Sequence, residues 1–96
     1  MKALVYTGTQ MSEIRDVDIP VAGDNQVLVD LAFCGICGSD MHAWHGHDER
    51  RVPPLVLGHE AVGIVLTGPL AGKRVAINPL MTCGDCDCCN RGDEHL

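Results

Sequence analysis

The sequence predicts a mainly β domain, a small barrel or sandwich carrying one short helix. Apolar residues fall in short runs separated by Gly and Pro turns, the pattern of many brief strands. Apolar content is 46%, enough for a folded chain, while aromatics are only 3%, so Val, Leu, Ile and Ala must build the core. Only one stretch carries a helix pattern with start and stop signals. The 96 residues suit one modest core and hence one domain over 1–96.

Each element follows from its residues. Residues 2–6 form an apolar run ended by Thr7-Gly8. Residues 12–19 alternate imperfectly, with Val17 and Ile19 on one side and Asp16 and Asp18 on the other. Ile14 is out of phase with them, which predicts a bulge or edge irregularity before Pro20 ends the run. Ala22-Gly23-Asp24-Asn25 reads as a turn. Residues 26–33 are the clearest strand, with Val27, Val29, Leu31 and Phe33 sharing one face. Residues 39–45 read as the only helix, with Ser39 or Asp40 as N-cap and Gly46 as stop. Residues 61–66 are a β-branched run whose internal Gly63 predicts a bend or a close backbone approach. Thr67-Gly68-Pro69 is a turn, and residues 73–77 make a last strand.

Charge and composition exclude several function classes. A net charge of -6 speaks against a nucleic-acid partner, because phosphate binding needs clustered Lys and Arg. No apolar stretch approaches the roughly 20 residues that span a bilayer, and Met1-Lys2 opens no signal peptide. The expectation is therefore no membrane and a cytoplasmic location. The six cysteines fit cytosolic thiols and ligands better than a secreted disulfide framework.

Two clusters carry chemistry. Cys37 sits in Gly35-Ile36-Cys37-Gly38-Ser39-Asp40-Met41-His42, just after the clearest strand, and Gly58-His59-Glu60 follows. Cys, His and Glu are all competent zinc ligands, and a catalytic zinc takes three protein ligands and keeps one position open. His59 and Glu60 are adjacent, so an extended backbone would point them apart. A shared metal then needs a turn at Gly58, or one of the two acts from outside the ligand set. A buried thiol near two surface polar residues is the bland alternative. The second cluster is Cys83-Gly84-Asp85-Cys86-Asp87-Cys88-Cys89. Cys83, Cys86 and Cys89 stand at chelating Cys-x-x-Cys spacing, but tetrahedral zinc wants four ligands. Cys88 is either a spare thiol or a replacement ligand, and His95 is a candidate fourth donor. A redox Cys-x-x-Cys is the competing reading, although no βαβ context surrounds it.

Four motifs in order resemble the zinc-dependent medium-chain alcohol dehydrogenase family, most closely its sorbitol-type polyol dehydrogenases. They are Gly-Ile-Cys-Gly-Ser-Asp-Met-His from Gly35, Pro-x-x-x-Gly-His-Glu ending at Glu60, Arg-Val-Ala-x-Asn-Pro from Arg74, and Cys-Gly-x-Cys-x-x-Cys-x-x-Gly from Cys83. The resemblance covers the whole chain. It implies a GroES-like, partly open β-barrel with a short helix and a zinc-binding lobe. It implies that Cys37, His59 and Glu60 hold a catalytic zinc, with Glu60 either a ligand or a residue that moves onto the metal during exchange. It further implies that Asp40 orients His59, that Ser39 touches the substrate hydroxyl, and that His42 ends a proton relay. Cys83, Cys86 and Cys89 would be three of four ligands of a structural zinc. The fourth Cys is expected eight residues after Cys89, one beyond Leu96, so the resemblance implies part of a longer protein.

The implied reaction oxidises a secondary alcohol of a polyol or sugar alcohol to a ketone. Zinc lowers the pKa of the bound alcohol, and the hydride goes to NAD or NADP. No Gly-x-Gly-x-x-Gly is present, so the nucleotide would be held by a further domain, and the chain by itself should not turn over. Relatives of this kind are homo-oligomers, dimers or tetramers, acting on small molecules. The alternative is a zinc-binding structural or interaction module without catalysis. His45 and His47 read as solvated loop residues, Arg50 and Arg51 as a solvated charge pair, and Cys34 as a buried strand thiol. Trp44 is either core packing or a pocket wall.

Overall fold

The computed structural model describes residues 1–95. It contains β1 (Lys2–Gly8), β2 (Met11–Asp16), β3 (Val29–Gly35), α1 (Gly38–Trp44), β4 (Leu55–Val56), β5 (Glu60–Val65), β6 (Arg74–Ala76) and α2 (Asp87–Arg91). The strands form two antiparallel three-stranded sheets, ordered β2-β1-β4 and β3-β5-β6. The domain is mainly β, as the sequence implies, and the sheets do not close into a barrel. Among the described residues no helix is long and apolar enough to cross a membrane.

The first sheet holds a hairpin. β1 and β2 pair in regular register from Lys2↔Asp16 to Tyr6↔Ser12, and the register shifts between Tyr6 and Gly8. The irregularity expected near Ile14 therefore lies on the partner strand, at Thr7. Ile14 itself pairs squarely with Leu4. β1 runs on through Thr7-Gly8, which the sequence suggested as its end, and β2 stops at Asp16. The two-residue β4 escaped the sequence reading. It lies between Pro53-Pro54 and Gly58, too short to show a period, and is defined only by its pairing with Val5 and Tyr6.

The second sheet corrects the reading of residues 26–33. The strand starts at Val29, and its alternation breaks because Leu31 pairs with Gly63 and Phe33 with Val62, leaving Ala32 as an extra residue. The expected apolar face is not a core face in this chain: Val27, Leu31 and Phe33 are all exposed, Phe33 by 77%. Gly63 lies against the carbonyl of Asp30, the close backbone approach its position suggested. The last strand shortens to Arg74–Ala76.

The buried apolar residues are few and small. They are Val5 and Tyr6 of β1, Ala43 of α1, and Ala61 and Val65 of β5.

Both helices differ from expectation. α1 begins at Gly38 with Cys37 as N-cap, not Ser39 or Asp40. Asp40 is the third helical residue, and its carboxylate reaches back to accept the Cys37 backbone N–H at 3.0 Å. This reversed cap moves the helix start back and makes Cys37 the last extended residue before the turn. Gly46, at φ 80°, stops the helix as expected. α2 contradicts the expectation of a single helix. Asp87-Cys88-Cys89-Asn90-Arg91 contains weak helix formers, but Gly92 closes it in the left-handed conformation, φ 82°.

Candidate metal centre

Cys37, His59 and Glu60 converge, with one donor atom from each within 4.8 Å of the others. Three features of the chain make this possible. Cys37 is delivered by the end of β3 and the reversed cap of α1. Gly58, at φ 114°, turns the chain so that His59 lies ahead of β5 while Glu60 begins it. The predicted conflict between adjacent side chains is thereby resolved, because only Glu60 has strand geometry. Gly35 pairs with Glu60 across the sheet, and a Cβ there would collide with the Glu60 side chain.

Asp40 is buried, 6% exposed, and engages two ligand-bearing residues. One oxygen, Oδ2, holds the Cys37 N–H; the other, Oδ1, stands 3.4 Å from His59 Nδ1. That distance is longer than a good hydrogen bond, yet neither atom has any other partner. A buried carboxylate and a ring nitrogen facing only one another fit a His59 that carries its hydrogen on Nδ1. Nε2 is then the nitrogen free for a cation. The Cys37 thiol is held below its ordinary range, first by the Ser39 backbone N–H, then by the Ser39 hydroxyl and the His59 ring. A thiol with a lowered pKa beside an imidazole and a carboxylate is a donor set suited to zinc.

Ser39 and His42 sit on α1, three residues apart and therefore on neighbouring positions of one face, and both are exposed. Among the described residues no hydrogen bond joins them. Ser39 is next to the Cys37 sulfur, whereas the His42 ring contacts His47 at 5.1 Å between centres.

Cys83, Cys86 and Cys89 form the second trio, again within 4.8 Å. The Cys83 and Cys89 sulfurs are 3.8 Å apart. Two thiolates on one tetrahedral zinc, at bonds of about 2.3 Å, stand about 3.8 Å apart, whereas a disulfide would need about 2.05 Å. Cys86 caps α2 and Cys89 is its third residue, so one helical turn aligns the pair. The Cys89 backbone N–H, aided by Cys83 and the Cys89 thiol, lowers the Cys86 thiol to about 7. Cys88 points elsewhere: half-buried, it accepts from Arg91 at 3.7 Å and stands apart from the trio. His95 does not join the three sulfurs either.

The remaining candidates resolve simply. Cys34 is exposed, not buried. Its expected burial rested on the usual preference of a free cysteine for the interior, which this strand does not meet. Arg50 and Arg51 both pair with Asp48, so they are committed to a neighbour. Trp44 is half-buried, and its carbonyl accepts the Gln10 N–H at 2.7 Å. Two signals were not used in the sequence reading: Asp40 as a reversed cap three residues after Cys37, and Gly35 as the room for Glu60.

Residues 23–96 match the alcohol dehydrogenase GroES-like domain. The chain belongs to this family. Among relatives of this alcohol dehydrogenase domain is 2-dehydro-3-deoxy-L-galactonate 5-dehydrogenase of Pseudoalteromonas atlantica, 39% identical over all of this chain and 30% of that protein. The solved Escherichia coli alcohol dehydrogenase RspB, complexed with NADH, superposes with a TM-score of 0.85 at 34% identity, over 96% of this chain and 28% of that one. Zinc-dependent alcohol dehydrogenase 2 from Streptococcus pneumonia gives 0.84 at 32% identity, with the same coverage of 96% and 28%. The chain spans about 30% of the length of the curated relatives it matches.

Proposed function

We propose that this alcohol dehydrogenase domain provides the metal centre of a zinc-dependent oxidoreductase. The reaction is oxidation of a secondary alcohol on a small polyhydroxylated molecule, a polyol or sugar alcohol, with hydride transfer to NAD or NADP. The convergence of Cys37, His59 and Glu60 carries the reading, and a relative named for a sugar-acid alcohol, another solved with NADH and a third named as zinc-dependent support it. In this reading the nucleotide is held by a domain outside these 96 residues.

Cys37, His59 and Glu60 would hold the catalytic zinc, and Cys83, Cys86 and Cys89 the structural one. Bound at the first trio, zinc would supply Lewis-acid polarisation of the substrate oxygen. The chain does the rest. Asp40 keeps the His59 hydrogen on Nδ1 and fixes the Cys37 backbone through its other oxygen. Ser39 Oγ lies beside the Cys37 sulfur, placed to take the substrate hydroxyl proton. His42, an exposed imidazole on the same helix, delivers that proton to solvent. Since Ser39 and His42 are not hydrogen-bonded, a bridging hydroxyl or water completes the path.

The test is Cys37→Ala in the whole enzyme, with zinc counted per chain. Loss of one zinc and of polyol oxidation, with the fold kept, is the expected result. Unchanged turnover would leave the alternative of a zinc-binding structural module.

A further inference from the structure

The C-terminal end of α1 gathers three imidazoles that the dehydrogenase reading uses only in part. His42 and His45 stand one helical turn apart. Gly46 then reverses the chain, and the His47 N–H donates to the His42 carbonyl at 3.1 Å, returning His47 beneath the helix. The His42 and His47 ring centres are 5.1 Å apart, and those of His45 and His47 are 6.0 Å apart. Two imidazoles sharing one tetrahedral zinc, at Zn–N distances of about 2.0–2.1 Å, have ring centres about 5 Å apart. The nitrogens are spread more widely than the donors of the two trios, so closure takes rotation of His42 and His47. Both side chains are exposed and free to turn.

A second, independent observation concerns His45. Its Nδ1 lies 2.7 Å from the Met41 carbonyl oxygen. A carbonyl has no hydrogen to give, so Nδ1 carries it and the neutral ring presents the lone pair of Nε2. Metal-binding histidines are typically fixed this way, by a backbone carbonyl on the other nitrogen. The net charge of -6 also draws cations toward the chain.

We propose that His42, His45 and His47 form a surface site for a divalent cation of the zinc–nickel class. Neutral imidazole is a preferred ligand for these ions, and three of them leave a position for water. Because His42 would be engaged, occupancy would withdraw it from proton transfer. Excess zinc would then inhibit turnover, a consequence that rests on the dehydrogenase reading, whereas binding itself does not.

The experiment is equilibrium dialysis of the whole protein against zinc, comparing wild type with His45→Gln and His47→Gln. Wild type should hold one zinc more per chain than either variant. Its affinity for that ion should exceed theirs by more than the about 10–100-fold that loss of an outer partner costs. Equal zinc in all three proteins overturns the site. The ring resonances of His45 and His47 should shift on adding the last equivalent, and unshifted resonances overturn it as well. Inhibition by excess zinc that His47→Gln relieves would support the link to turnover. Failure of the protein to oxidise any alcohol would sink the dehydrogenase reading while the dialysis count still decides the site.

Discussion

Asp40→Asn separates two jobs that one carboxylate performs. The amide keeps an oxygen for the Cys37 N–H, now bonded to Oδ2 at 3.0 Å, so the start of α1 should persist. It places an NH2 donor opposite His59 Nδ1, where a carboxylate oxygen now stands at 3.4 Å. A donor there requires Nδ1 to accept, which moves the ring hydrogen to Nε2, the nitrogen meant for zinc. Changing such an outer partner typically costs about 10–100-fold in metal affinity, or about 1.4–2.8 kcal/mol. Asp40→Ala loses the cap as well, and leaving the Cys37 N–H without a partner adds about 1–3 kcal/mol of destabilisation. Chelator competition on the whole protein reads the affinity, and thermal unfolding reads the cap. The Cys83 trio serves as an internal reference, because Asp40 has no contact with it. The expected pattern is weak zinc with near-normal unfolding for Asn, and weak zinc with early unfolding for Ala. An Asn variant that binds zinc as tightly as wild type would refute the tautomer argument.

Three further outcomes follow from the same geometry. Gly35→Ala should push the Glu60 side chain out of the first trio and lower zinc occupancy there, with the β3–β5 pairing intact by hydrogen exchange; unchanged occupancy would show that Glu60 is not a ligand. Cys88→Ser should leave the zinc count unchanged, whereas Cys89→Ser should remove one zinc per chain, as read by elemental analysis. Asp48 should titrate in a carboxyl-carbon NMR experiment at about 2, below its ordinary 3.8, because the Arg50 guanidinium holds the ionised form. Its folded pKa is depressed, so its contribution to stability is present above pH 3.8 and is lost as pH falls toward 2. Arg50→Gln should return the midpoint toward the ordinary value.

The sequence displayed the donors more fully than the frame that holds them. The candidate donors Cys37, His59, Glu60 and the three cysteines were visible from residue chemistry and spacing, but only the fold shows that each trio converges. The N-cap was misplaced because Asp40 was read as capping the residues after it, and only the fold shows it reaching back to Cys37. Val27, Leu31 and Phe33 were read as one continuous face because period-2 alternation assumes no bulge, and Ala32 interrupts it before Phe33. Its exposure shows that burial is set by what lies opposite a strand, which no single-strand pattern contains. α2 was hidden because its cysteines advertise metal binding more strongly than its weak helix formers advertise a helix.

The two trios differ in how much chain they must close. Cys83 and Cys89 are six residues apart in sequence, joined by a short loop and one helical turn. Cys37 and His59 flank the same end of the β3–β5 ladder, where Gly35 pairs with Glu60, but α1 and β4 lie between them in the chain. Loop-closure entropy grows with the span, and contacts distant in sequence form later. In the proposed reading the cysteine lobe would therefore gather its donors as soon as its own segment is available, before any sheet exists. The Cys37 site comes into being only when β5 has docked on β3. If both trios hold ions as proposed, chain connectivity would set the order of loading, local first and long-range last, and occupancy of the Cys37 position would report completed assembly of the sheet.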